Sequence, residues 1–226
     1  MDMEVEPIRR FQLIVPMLLA ALLAGCTNDN SYISDPAAVN VESPFTISRN
    51  SLFQAAGKPG VLSLELVQGT YREDWNAPSP FAGRSWSGQF RLSISADDGR
   101  LLHTFPLSDQ YNEELVFNDL FLIEFGDYNS DGNPDFTIGQ YGSSNGNVFK
   151  LFTISEDYSI KELPVDSTPE LFITVPERYS VKLDETADGF KTAFYDNSLG
   201  RQVVNTYRWN AFKKVKQLIQ QKEVDG

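Results

Sequence analysis

The sequence predicts an all-β protein, an antiparallel meander of blade-like sheets, on three observations. Apolar and polar residues alternate in short runs, the period of a strand with one buried face. Clusters of Gly, Asn, Asp and Pro punctuate those runs at regular spacing. The runs are rich in β-branched and aromatic residues, and Phe alone occurs 16 times, enough to fill a packed core. An incomplete β-propeller and a β-sandwich both satisfy this pattern.

The elements follow in order within residues 45–226, read as one domain. "VLSLELVQGTY" (61–71) and "WSGQFRLSIS" (86–95) read as strands, joined by the Pro- and Gly-rich loop "REDWNAPSPFAGR". "ADDG" (96–99) carries a hairpin signal, and "RLLHTFPL" returns from it. "LFLIEF" enters the stretch "DYNSDGNPD" and "DFTIGQ" leaves it. "NVFKLFTIS", "SIKELPV", "LFITV", "YSVKL", "FKTAFYD" and "RQVVNTYRWN" continue the alternation, parted by "EDY", "STPE", "PER", "ETADG" and "NSLG". A weak repeat of strand, turn and returning strand covers 61–107, 134–165 and 180–210, three units where a closed propeller takes at least four. The last segment, "NAFKKVKQLIQQKE", reads as a final strand or as a short C-terminal helix, because Phe212, Val215, Leu218 and Ile219 share a helical face.

The N-terminal part has a different character. Arg9 and Arg10 precede the apolar run "FQLIVPMLLAALLA", which as a helix would rise roughly 21 Å and fall short of the ~30 Å of a bilayer core. Basic flank, short apolar core and small closing residues make residues 1–25 a secretory signal segment. "LAGC", Leu23 to Cys26, resembles the lipobox of bacterial lipoproteins. That resemblance implies cleavage before Cys26, the sole cysteine, and lipidation of its thiol, with two acyl chains sufficing for stable membrane anchoring. The expected location is therefore the bacterial cell envelope, outside the cytoplasm. Polar residues 26–44 read as the lipidated Cys and a tether.

Charge narrows the partners. Net charge is −12 over the whole chain; Arg9, Arg10, Asp2, Glu4 and Glu6 leave with the signal, so 19 basic and 31 acidic residues become 17 and 28, near −11. Such a surface repels phosphate backbones and anionic lipid heads, which argues against nucleic-acid binding, and it attracts cations.

In "DYNSDGNPD" (127–135), Asp127, Asn129, Asp131, Asn133 and Asp135 occupy positions 1, 3, 5, 7 and 9, and Gly132 position 6. Calcium wants six to eight hard oxygens, and loops of this spacing supply them around a sharp glycine turn. Ile138 stands where an EF-hand has its bidentate Glu, and the flanks are strand-like, so an EF-hand is excluded. The stretch is similar to the calcium loop of FG-GAP and VCBS repeats, the integrin-type blades. The resemblance implies side-chain ligands Asp127, Asn129, Asp131 and Asp135, a carbonyl ligand from Asn133, and a structural Ca²⁺. The competing reading is a turn built from Asp, Asn and Gly for backbone reasons. Three carboxylates within this stretch repel one another unless a cation compensates, which favours the ion.

Catalytic signals are weak. His103 is the sole histidine and has no visible nucleophile or orienting partner on its strand, so zinc and Ser-His-Asp chemistry find no residues. Asp97 with Asp98 and Glu113 with Glu114 raise glycoside hydrolysis, but neighbours on a strand face opposite ways. "GQYGSSNGNVF" (139–149) lacks the Lys of a phosphate loop and reads as a hairpin connection or a ligand-facing loop. Trp75, Trp86 and Tyr141, with Tyr71 and Trp209, are candidates for a sugar-stacking surface, against the ordinary fate of aromatics as core. The expected function is a lipid-anchored, calcium-stabilised β domain that is not an enzyme and binds a protein or glycan. The alternatives are an envelope assembly component without a small ligand and a carboxylate-dependent glycan hydrolase.

Overall fold

A computed structural model describes residues 37–42, 44–165, 170–210 and 215–224; the signal segment and Cys26 lie outside the described residues. The chain forms three antiparallel sheets in succession, none closed into a barrel. The first contains β1 (Val39–Val41), β2 (Phe45–Ser51), β3 (Val61–Asp74), β4 (Gly83–Ser95), β5 (Leu101–Pro106) and β6 (Leu115–Phe117). The second contains β7 (Phe125–Gly126), β8 (Asp135–Ser143), β9 (Gly146–Ile154), β10 (Ile160–Glu162) and β11 (Leu171–Ile173). The third is β12 (Asp184–Thr186), β13 (Gly189–Asp196), β14 (Arg201–Asn210) and β15 (Val215–Val224). The three units of the repeat are therefore three sheets, each closed by the local turns that the sequence marks.

Alternation decides which face is buried. On β3, Leu62, Leu64 and Leu66 face the core opposite Ile94, Leu92 and Phe90 of β4. Beyond Leu66 the register shifts, and Gly69 meets Gly88. A Cβ on Gly88, whose φ is 136°, would lie 2.3 Å from the Gln68 carbonyl oxygen, so only glycine lets the two strands stay this close through the bend.

The second sheet is the middle of the packing. Phe136 and Ile138 of β8 and Phe152 and Ile154 of β9 join the first sheet's leucines in one core. Phe149 and Leu151, on the alternate positions of β9, join Leu171, Ile173, Phe190 and Tyr207 in a second. With both faces covered, residues 135–139 are all buried, and so is the whole of "KLFTI", its Lys150 and Thr153 included. Each fully buried Leu, Ile or Phe here contributes roughly 1.5–3 kcal/mol relative to exposure.

Three boundaries differ from the sequence expectation. Residues 215–224 form β15, paired to β14, and not a helix; a strand edge on β14 offers a ladder of backbone partners that helical periodicity does not register. "VNV" of the tether forms β1 against Tyr71–Gly69, its β-branched pair suiting an edge strand. A five-residue helix, α1 (Leu52–Ala56), interrupts β2 and β3. Ser51 caps it, and Gly57 at φ 67° closes it with Gly57 N–H on Phe53 O and Lys58 N–H on Leu52 O, a Schellman ending.

Candidate metal loop and ligand groove

The 127–135 stretch connects β7 to β8. Tyr128 anchors it from within: the ring is fully buried, edge-on to Phe190 at 5.7 Å, and the hydroxyl accepts Leu183 N–H at 3.1 Å. Burial pushes that phenol far above its ordinary range. Outside the anchor, the backbone turns through left-handed residues Ser130 (φ 59°) and Gly132 (φ 79°).

The polar side chains bind this backbone. Asp127 accepts Asp131 N–H and Gly132 N–H, each at 3.0 Å. Asn129 Oδ1 accepts the same Asp131 N–H at 3.2 Å, while its Nδ2 donates to Asp131 Oδ2 at 3.0 Å. Asp131 Oδ1 accepts Asn133 N–H at 2.8 Å. Asp135, fully buried at the first position of β8, accepts Tyr128 N–H at 2.8 Å. The Asn133 side chain is drawn elsewhere: its Oδ1 accepts from Lys58 Nζ at 3.2 Å, and Lys58 also donates to Ser155 O at 3.1 Å.

The donor set fits a hard cation in chemistry, since every member offers oxygen. In their present rotamers the carboxylates cap the loop's own N–H groups, and among the described residues no three His, Cys, Asp or Glu side chains converge on a metal-sized point. Asp131 is exposed, and turning it outward gives up its hydrogen bonds from Asn133 N–H and Asn129 Nδ2.

The other end of β8 carries Tyr141, six residues and roughly 20 Å along the strand from Asp135. Its ring meets Phe81 edge-on at 5.3 Å, and the Arg178 guanidinium lies 5.7 Å above it and 5.8 Å above Tyr179. Arg178 Nη1 donates to Pro80 O at 3.2 Å and to Asn118 Oδ1 at 3.3 Å. Asn118 is fixed in turn, its Oδ1 accepting the Tyr179 hydroxyl at 3.0 Å and its Nδ2 donating to Arg84 O at 3.1 Å.

Two concavities share Tyr141 and Arg178 as a common wall. The first, about 510 Å³, also has Phe81 and Tyr111 in its lining and gathers Glu113, Glu114 and Glu170 from two separate segments. The second, about 480 Å³, is lined by hydroxyl and amide groups of Ser79, Ser144, Asn145 and Thr174. Both volumes fall in the range of small-molecule sites. Tyr111 is locked by donating to Ile138 O at 2.9 Å, and burial, aided by the charges of Glu170 and Glu162, holds its phenol well above the usual value.

The three aromatics singled out in the sequence part company. Trp86 is 6 % exposed, stacked on Phe45 at 5.4 Å and covered by Arg84, so it belongs to the core and is corrected as a surface candidate; its position on β4 faces inward. Trp75 is 72 % exposed on the loop after β3, where its Nε1 donates to Glu73 at 3.3 Å. Only Tyr141 lines a concavity. "GSSNG" is a tight hairpin between β8 and β9, the connection that the sequence marks, and Ser143 to Gly146 also line the second concavity. Asp97 and Asp98 cap turns, accepting Gly60 N–H and Arg100 N–H, and His103 sits on β5 opposite Ile94.

Sequence reasoning missed Phe81 and Arg178, which lie in "SPFAGR" and "PER", segments read as connections. Their turn residues gave the only local signal, and that signal concerns the backbone. No protein-family model, no curated protein and no solved structure matches the chain.

Proposed function

We propose that this is a lipid-anchored protein of the bacterial cell envelope whose β domain, stiffened by a calcium ion in the 127–135 loop, binds a glycan or protein partner in the groove beside Tyr141. The observation that carries the reading is that groove, where exposed aromatic edges, a fixed guanidinium and hydrogen-bonding groups meet in two adjoining concavities. The anchor rests on "LAGC" and the signal segment before it. An assembly component with no small ligand would predict a flat polar surface, and the two concavities favour the binding reading over it. Calcium would be held by Asp127, Asn129, Asp131 and Asp135 with the Asn133 carbonyl, and would supply cross-linking of the loop and no chemistry. Its distance from Tyr141 along β8 makes it a brace for the strand and not a ligand contact.

The test has two arms. Labelling cells with an alkyne fatty acid should mark the wild-type chain and leave Cys26→Ser unlabelled and released from the membrane fraction. Calorimetric titration of the chelator-treated, detergent-solubilised protein should give one calcium site and a higher melting temperature, both lost in Asp131→Ala. No labelling removes the anchor, and no calcium heat leaves the loop a turn.

A second reading has one observation in its favour. Glu113, Glu114 and Glu170 line one cavity, and carboxylate-dependent glycan hydrolysis works through a pair of carboxyl groups flanking the scissile bond. Release of reducing ends from an envelope polysaccharide, abolished in Glu170→Gln, would support it.

A further inference from the structure

We infer that the groove recognises a saccharide bearing a single carboxylate, with the carboxylate on Arg178 and a sugar face on Tyr141 and Phe81; this rests on the reading of the groove as a binding site. Arg178 is the reason. A guanidinium offers five N–H donors in a planar fork suited to a carboxylate. Here it spends Nη1 on two neutral oxygens, those of Pro80 and Asn118, and none of the described Asp or Glu side chains pairs with it.

The guanidinium is pre-set as well as without an ion-pair partner among the described residues. Cation–π contacts with Tyr141 and Tyr179 and the two hydrogen bonds from Nη1 hold the group in place, so less side-chain entropy remains to be lost on binding. Its neighbours in the second concavity are neutral hydroxyls and amides, which suit sugar hydroxyls. Several of those groups are already committed, which keeps the wall rigid: Asn147 Nδ2 donates to Val175 O and Glu177 O, and Thr174 Oγ1 accepts Tyr195 N–H. The first concavity opposes a second negative charge, because Glu113, Glu114 and Glu170 line it and the whole chain is acidic. One anionic residue next to a neutral one fits the two halves; a polyanion does not. A protein partner would ask for a more continuous apolar centre than a wall that mixes Phe81, Tyr111 and Tyr141 with three glutamates supplies.

The experiment titrates the full chain in detergent with three matched probes: a disaccharide ending in a uronate, its uronate methyl ester, and the neutral disaccharide. A bidentate charge-assisted pair predicts binding of the uronate roughly ten- to a hundredfold tighter than either neutral probe, with the advantage shrinking as salt rises. Arg178→Gln should reduce that preference to about threefold or less while the neutral probe binds as before, and Arg178→Lys should keep only part of it. Tyr141→Ala should weaken all three probes. Equal binding of the three probes by the wild type overturns the inference and leaves the saccharide groove standing. Binding of none at millimolar concentration overturns both, and because ester and acid are compared on the wild type, the result stands even if an Arg178 variant misfolds.

Discussion

Asp135 joins the loop to the core, and its replacement tests whether the loop is held from inside. The side chain is fully buried and accepts Tyr128 N–H at 2.8 Å. Asp135→Ala leaves that buried N–H without its acceptor, a cost of about 1–3 kcal/mol, and larger when the lost acceptor is charged. We expect a loss of about 2–3 kcal/mol. For a domain of this size, at about 2–4 °C per kcal/mol, that is a fall in melting temperature of roughly 4–12 °C. Asp135→Asn keeps an oxygen in place and should lose about 1 kcal/mol. The assay is urea unfolding of both variants and wild type in chelator, so that no cation contributes to the difference, with an unchanged m-value required for comparison. Equal losses in Ala and Asn, both below about 0.5 kcal/mol, would refute the view that this hydrogen bond secures the loop.

Other consequences concern the groove and the buried phenols. A Cβ at Gly139 would lie 2.4 Å from Phe149 Cε1 and 2.5 Å from Arg178 O, so Gly139→Ala should cost about 1–3 kcal/mol by overpacking and displace Arg178, read as weaker uronate binding. Tyr111, Tyr128 and Tyr179 all have phenols raised, chiefly by burial, so spectrophotometric titration should show tyrosines that ionise only above the ordinary phenol range. Because their folded values exceed the unfolded value near 10, the stability they contribute is complete below about pH 10 and drains away as pH climbs toward the folded values. Unfolding midpoints flat across that upper range would contradict their burial.

The sheets were legible because each is built from neighbouring strands with turns that announce themselves. "ADDG" closes β4 onto β5 through Gly99 N–H on Ala96 O, and "NSLG" closes β13 onto β14 through Gly200 N–H on Asp196 O. Three-residue strands such as β6, β10 and β12 leave too short a pattern for a period to show, and α1 has fewer residues than two helical turns. The tryptophans show a different limit. Trp86 and Trp75 look alike in sequence, yet one is covered by Phe45, Tyr71 and Arg84 and the other stands on a loop; composition does not know which face a strand presents. The calcium-type spacing was legible as donor chemistry, whereas the rotamers that turn those donors onto the backbone are set by the left-handed turn itself. Arg178 was invisible because its partners, Pro80, Asn118 and Tyr141, come from distant segments.

The sharing of one sheet between two cores has a kinetic side. Stripping away the third sheet would uncover Phe149 and Leu151 yet leave Phe136, Ile138, Phe152 and Ile154 packed on the first. Opening fluctuations can therefore begin at the C-terminal edge and stop half-way, as a unit of lower local stability. Amide deuteration should then map a gradient, fastest along β12 and β15, the edge strands of the third sheet, and slowest in the paired middles of β8 and β9, which lie between the two cores.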